Sequence, residues 1–239
     1  MDDLKWERVG TLSGLVVIVL GGAGFALAPI APPLTSTTAK VATYFADNRS
    51  GILAQNFVFL LASGALLWFV SSLRSYMRRA EGDNDRLSAA AFGAGVVAVA
   101  ASVIGVIFPI ALALRANSAV DPAIVRTVYD LGTVSYMIGF LPFGVMFGAT
   151  GLLAFRKNAF PRWLGWVSIV GALLMFAFSS GFLFDSGPLS PGNAWGNLGL
   201  VVFGVWFIGT TVVMYRHLGP SPQPSARRIT PRGRVAPGH

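Results

Sequence analysis

Between Arg86 and Arg115 the chain carries no charged side chain, and that run limits the fold more than any other feature. Wound as a helix at 1.5 Å per residue it reaches about 42 Å, against roughly 30 Å for the hydrocarbon of a bilayer. Five further runs share its character, so hydropathy marks six spans, at about residues 10–31, 51–73, 87–114, 127–154, 163–184 and 195–215. A segment in hydrocarbon must satisfy its own backbone polar groups, which a helix does. Barrel strands would be shorter and would alternate polar with apolar residues. The expected fold is therefore all-α: a polytopic membrane protein with a six-helix transmembrane bundle over residues 1–217.

Composition agrees with this. Of 239 residues, 54% are hydrophobic and 12% charged, against about 25% charged in soluble domains. The absence of cysteine excludes disulfides, thiolate metal sites, iron–sulfur clusters and thiol nucleophiles. Net charge is +8, but the basic residues sit in loops and a tail beside apolar spans. Anionic lipid, not nucleic acid, is the expected partner.

The 18 Lys and Arg residues also give the orientation. Alternate segments hold Lys5 and Arg8; Arg74, Arg78, Arg79 and Arg86; Arg156, Lys157 and Arg162; and Arg216, Arg227, Arg228, Arg232 and Arg234. The intervening segments hold only Lys40, Arg49, Arg115 and Arg126. By the positive-inside rule both termini are expected in the cytoplasm, which requires an even number of spans. The first span contains LSGLVVIVLGGAGFALA, which resembles a signal-peptide core. Asp2, Asp3 and Glu7 offset the basic residues before it and Pro29 would follow the cut, so retention is expected.

Two other segments stand out. In STTAKVATYFADNRS (36–50), Val41, Tyr44 and Phe45 are spaced i, i+3, i+4 behind a Ser/Thr cap, the pattern of a short amphipathic helix on the outer surface, either a connector or a lid. From residue 218 to 239, Pro and Arg replace apolar residues. This basic tail is expected to be disordered and to face anionic lipid.

Few motifs carry chemistry. GAGVVA from Gly93 has dinucleotide-fingerprint spacing but lies inside an apolar helix, so its glycines read as helix-packing positions. The pairs Gly10/Gly14, Gly144/Gly148 and Gly192/Gly196 read likewise, as close-approach faces that suit a compact bundle and could seat a helix of a second copy or of a partner. Pro109 and Pro142 fall within the third and fourth spans, where each removes a backbone donor and bends its helix. No metal-binding or nucleophile-elbow motif occurs, and no cofactor is expected.

What remains is an asymmetry of polar side chains. Gln55, Asn56, Arg115, Asp130, Tyr136, Asp185, Asn193 and Asn197 all lie towards the outer ends of spans two to six. They form a candidate outward-facing polar site, because polar groups at membrane depth usually face the bundle interior. The alternative is that they are span ends at the interface. For Asp130 the arithmetic favours the interface: residues 131–154 alone make about 36 Å of helix. Asp121-Pro122 reads as an N-cap with proline at N1, and Arg126 sits at i, i+4 for an ion pair.

YFADNRS (44–50), RRAEG (78–82) and PRWLGWV (161–167) resemble features of uncharacterised multi-pass membrane proteins of actinobacterial type, akin to bacterial families known only as domains of unknown function. The resemblance covers most of residues 1–217, implies a bacterial plasma membrane, and carries no catalytic residue. PRWLGWV also has a physical reading, with Arg162 at the head groups and Trp163 and Trp166 as interfacial anchors.

The expected function is accordingly non-enzymatic: a binding or accessory module, or a small transporter, with its ligand at the outer polar site. Two alternatives stay open. One is a membrane-embedded enzyme acting on a lipid or isoprenoid through Asp130 or Asp185. The other is a scaffold that binds partner helices through its glycine faces.

Overall fold

The computed structural model describes residues 3–83, 85–118, 121–184 and 196–217. The described chain is helical without strands. In order it forms α1 (Asp3–Leu27), α2 (Thr38–Asp47), α3 (Arg49–Glu81), α4 (Arg86–Gly105), α5 (Ile107–Arg115), α6 (Pro122–Ile138), α7 (Phe140–Lys157), α8 (Arg162–Ser179), a short 3-10 turn (Gly181–Leu183) and α9 (Gly196–His217). Among the described residues, six helical spans are long and apolar enough to cross a bilayer, as expected. Only 22% of the most apolar window of the α4–α5 span is buried. A helix that apolar and that exposed needs lipid as its solvent. The basic tail, 218–239, lies outside the described residues.

Two spans are interrupted where the prolines require it. Pro109 and Pro142 have no N–H to donate to the carbonyls of Gly105 and Ile138, four residues back. The helices break at Val106 and at Gly139. Each interruption is one residue long, and Val106 N–H and Gly139 N–H still donate to Ser102 O (3.2 Å) and Ser135 O (3.0 Å). These are kinks within continuous spans, not unwound segments.

The spans form a closed ring. α1 packs along α3, α3 on α4, α4 on α7 and α7 on α8, and α9 closes the ring against α8 and α1. Close approach depends on several of the glycines marked by the sequence, but not on Gly93, which has nothing within 4 Å, or on Gly148, whose nearest neighbour is 3.7 Å away. A Cβ on Gly14 would strike Thr211 of α9 and Phe69 of α3, one on Gly10 would strike Ser72, and one on Gly144 would lie 2.6 Å from Phe176 of α8. Gly95, within GAGVVA, packs on Val70 in the same way. Gly192 lies outside the described residues.

Arg78 and Arg79, Arg156 and Lys157, and Arg216 all occupy last helical turns at one end of the ring, where cations also favour the helix dipoles. This basic end has its own devices. Glu81 is buried and turns back to accept Leu87 N–H and Ser88 N–H, both at 2.9 Å, capping α4 across a turn in which Gly82 takes φ 76°. Tyr76 donates to Ala159 O at 2.6 Å and ties the α7–α8 connection to α3.

In the half of the bundle nearer that end, the centre is filled with rings. Phe69, Phe147, Trp206 and Phe207 are fully buried. Trp206 stacks on Phe147 with centroids 4.1 Å apart, and its indole N–H donates to Ser168 Oγ at 2.9 Å. Ser168 in turn donates to Leu164 O at 2.7 Å, so the indole and this hydroxyl are satisfied, whereas the buried Thr210 and Thr211 hydroxyls nearby find no partner among the described residues.

Candidate functional site

At the opposite end, α2 sits on the ring as a cap. Thr37 accepts Lys40 N–H at its start, and Val41 and Phe45 are buried against Ala28, Ile52, Leu112, Ala113 and Tyr129. The connection between α1 and α2 is rich in proline, so few of its carbonyls find backbone partners, and side chains from elsewhere supply the donors. Tyr44 donates to Pro29 O (2.8 Å) and Tyr129 to Pro32 O. Arg126 donates to Ser36 O (2.7 Å), to Leu34 O and to Asp130 Oδ2 (3.0 Å). Burial pushes the Tyr44 phenol above its ordinary value, so it stays a protonated donor.

Among the described residues, the sequence-marked polar side chains each meet a different partner and do not line one common cavity. Asp130 pairs with Arg126 as the i, i+4 spacing implies, while its Oδ1 is buried and receives no hydrogen bond from the described residues. Gln55 is half-buried and donates across to Gly24 O of α1 at 3.1 Å. Asn56 is buried and donates to Ile52 O of its own helix at 2.7 Å. Arg115 ends α5, exposed. Tyr136 faces outward, 56% exposed, with its ring against Phe140. Asp185 and Asn193 lie outside the described residues, as does the side chain of Asn197 at the start of α9. A shallow concavity of about 680 Å³ does open beside the cap, between α2 and residues 30–33, but none of these residues lines it.

A second concavity, of about 430 Å³, lies near the basic end between α1 and α3, with Met214 of α9 at its edge. Trp6 and Trp68 form its apolar wall, stacked at 6.4 Å with 15° between their planes. Ser71, Ser72 and Ser75 form its polar side, and Glu7 and Arg79 close it with an ion pair. Each serine hydroxyl donates to its own helix, to Leu67 O (3.0 Å), Trp68 O (3.2 Å) and Ser71 O (3.2 Å). Their hydrogens are committed, so they face the groove as acceptors.

These inner hydroxyls are not among the sequence-marked residues. A usable signal was present, because Trp68, Ser71, Ser72, Ser75 and Arg79 recur at steps of three and four and therefore share one face of α3. That Glu7 and Trp6 of α1 would meet this face could be learned only from the packing of the two helices.

Residues 11–209 match the family described as Domain of unknown function (DUF4386). The chain belongs to the DUF4386 family. The match runs from the third turn of α1 to two turns short of the end of α9; it takes in the cap, most of the ring and the α3 side of the groove, whereas Trp6, Glu7, Gly10 and Met214 of the groove lie outside it. No curated protein and no solved structure matches the chain. Among the described residues of this DUF4386 chain, no cluster of three or more His, Asp or Glu side chains could hold a metal ion.

Proposed function

We propose that this protein is a non-enzymatic binding module of a bacterial plasma membrane, with both termini in the cytoplasm, that takes a membrane amphiphile into the groove between α1 and α3. The carrying observation is the groove's composition at its position along the helix. Stacked Trp6 and Trp68 give an apolar wall where α3 leaves its apolar run, and three serines and an ion pair follow within the next turns. Tryptophan belts and head-group-level polar residues mark the bilayer interface. The ring-filled centre of the same half argues for binding over transport, since Phe69, Phe147, Trp206 and Phe207 occupy it. At the same end of the ring, outside the groove's lining, Arg78, Arg156, Lys157, Arg162 and Arg216 suit an anionic leaflet at roughly 1 kcal/mol per cation.

The test is photo-crosslinking of the full chain, in nanodiscs, with a lipid whose acyl chain carries a diazirine. Adducts concentrated on residues 6–11 and 68–79 are expected. An even spread over all exposed spans would reject the groove as a site.

One observation favours a second reading, in which a small cationic ligand binds at the capped end. Asp130 Oδ1 is buried without a donor from the described residues, and Gln55, Asn56, Arg115, Tyr136, Asp185 and Asn197 belong to the same outer ends. Ligand-induced thermal shifts lost in Asp130→Asn would support it. The glycines that look outward on α1, α4 and α9, Gly21, Gly22, Gly93 and Gly204, have nothing within 4 Å and are the positions through which homo- or hetero-oligomers would form.

A further inference from the structure

We infer that the α1–α3 groove selects a zwitterionic phospholipid whose head group ends in a primary ammonium, of the phosphoethanolamine type. This rests on the reading of the groove as an amphiphile site and names its occupant. The groove presents one cation and one anion side by side, Arg79 and Glu7, so it offers no net charge to a purely anionic head group. A zwitterion carries both complements. Its phosphate matches the guanidinium nitrogens of Arg79 that Glu7 does not use, since guanidinium presents five donors in a fixed fork. Its ammonium matches the second carboxylate oxygen of Glu7.

The serines decide between zwitterions. Ser71 and Ser75 place their hydrogens on Leu67 O and Ser71 O, which leaves their lone pairs open to a ligand's donors. A primary ammonium has three N–H donors to give them, whereas a quaternary ammonium has none. The apolar part of the lipid then lies against Trp6, Trp68 and Met214. Gly10 keeps the floor open, because a Cβ there would run into Ser72.

The experiment is native mass spectrometry of the full chain released from detergent, with phosphatidylethanolamine, phosphatidylcholine and phosphatidylglycerol offered at equal concentration, for wild type, Glu7→Gln/Arg79→Gln and Trp68→Ala. Wild type is expected to retain the ethanolamine lipid about tenfold over each of the others, the ratio that one or two charge-assisted hydrogen bonds supply. The double variant should lose that preference while still holding lipid, and Trp68→Ala should weaken retention of all three. Equal retention of choline and ethanolamine lipids, or preference for phosphatidylglycerol, overturns the inference while Trp68-dependent binding leaves the groove as a lipid site. Retention that Trp68→Ala does not change overturns both. The variants' helical circular dichroism provides the folding control, and Trp68→Phe, which keeps an apolar wall, should restore binding to a variant that remains folded.

Discussion

Arg126→Met tests whether the α2 cap is held by side-chain donors reaching its connection. Methionine keeps an apolar stem of similar length but removes the three bonds that Arg126 makes to Ser36 O, Leu34 O and Asp130 Oδ2. A hydrogen bond from a charged donor is worth about 1.5–3 kcal/mol when well shielded. Here the Arg126 and Asp130 side chains are 30% and 43% exposed, so water replaces part of each. The two carbonyl bonds then contribute about 1 kcal/mol each, and the ion pair a few tenths to 1. The total, about 2–3 kcal/mol, corresponds to a rise of about 30- to 140-fold in the opening equilibrium of the cap at roughly 1.4 kcal/mol per decade. Hydrogen exchange of the protein in nanodiscs reads this directly. Amides of α2, such as Val41 and Asn48, which donate to Thr37 O and Tyr44 O, should exchange faster by about that factor, while α7 and α8 keep their protection. Unchanged exchange over residues 38–47 would refute the reasoning, as would an equal loss of protection throughout the bundle.

Tyr44→Phe removes one bond to the same connection and should raise α2 exchange roughly fivefold, for about 1 kcal/mol. Because burial raises the folded-state value of that phenol above 10.0, its contribution is complete below pH 10 and fades only as pH climbs through the raised value; loss of α2 protection already at pH 9 would contradict this. Gly14→Leu forces α1 away from Thr211 and Phe69 and should lower the thermal midpoint in detergent by the equivalent of about 1–3 kcal/mol or more. Gly64→Leu, with nothing within 4 Å of its Cβ, should leave that midpoint unchanged. Trp206→Phe strips the donor from Ser168 Oγ and part of the stack on Phe147, and a loss of about 1–3 kcal/mol is expected from the same thermal measurement.

The spans were legible because the penalty for charge in hydrocarbon writes itself into the sequence as uninterrupted apolar runs. Their ends were less so. α3 runs on to Glu81, past the apolar run's end at residue 73, because Arg74, Arg78 and Arg79 are good helix formers and only Gly82 at positive φ stops the helix. The fifth span was expected to reach residue 184, but α8 stops at Ser179, where Ser180 N–H bonds to Ala177 O and a 3-10 turn follows. Both kinks could be read from Pro109 and Pro142, and α2 from the spacing of Val41, Tyr44 and Phe45. The sites were harder, since rotation of each helix about its axis decides what a polar group meets. Asn56 satisfies itself on Ile52 O and Gln55 reaches Gly24 O, outcomes that hydropathy does not encode. The groove needed the antiparallel register of α1 on α3, which Gly10 and Gly14 permit but do not specify.

The central claim is that the chain crosses the membrane six times with its basic end, and therefore the groove, at the cytoplasmic leaflet. The chain has no cysteine, so single substitutions report without background. Asp83→Cys, in the α3–α4 turn, and Ser118→Cys, after α5, should be treated in intact bacteria with a thiol reagent that cannot cross membranes. Labelling of position 118 in intact cells, with position 83 reacting only after lysis, is the predicted result. Labelling of position 83 in intact cells, or equal labelling of both, would contradict the account.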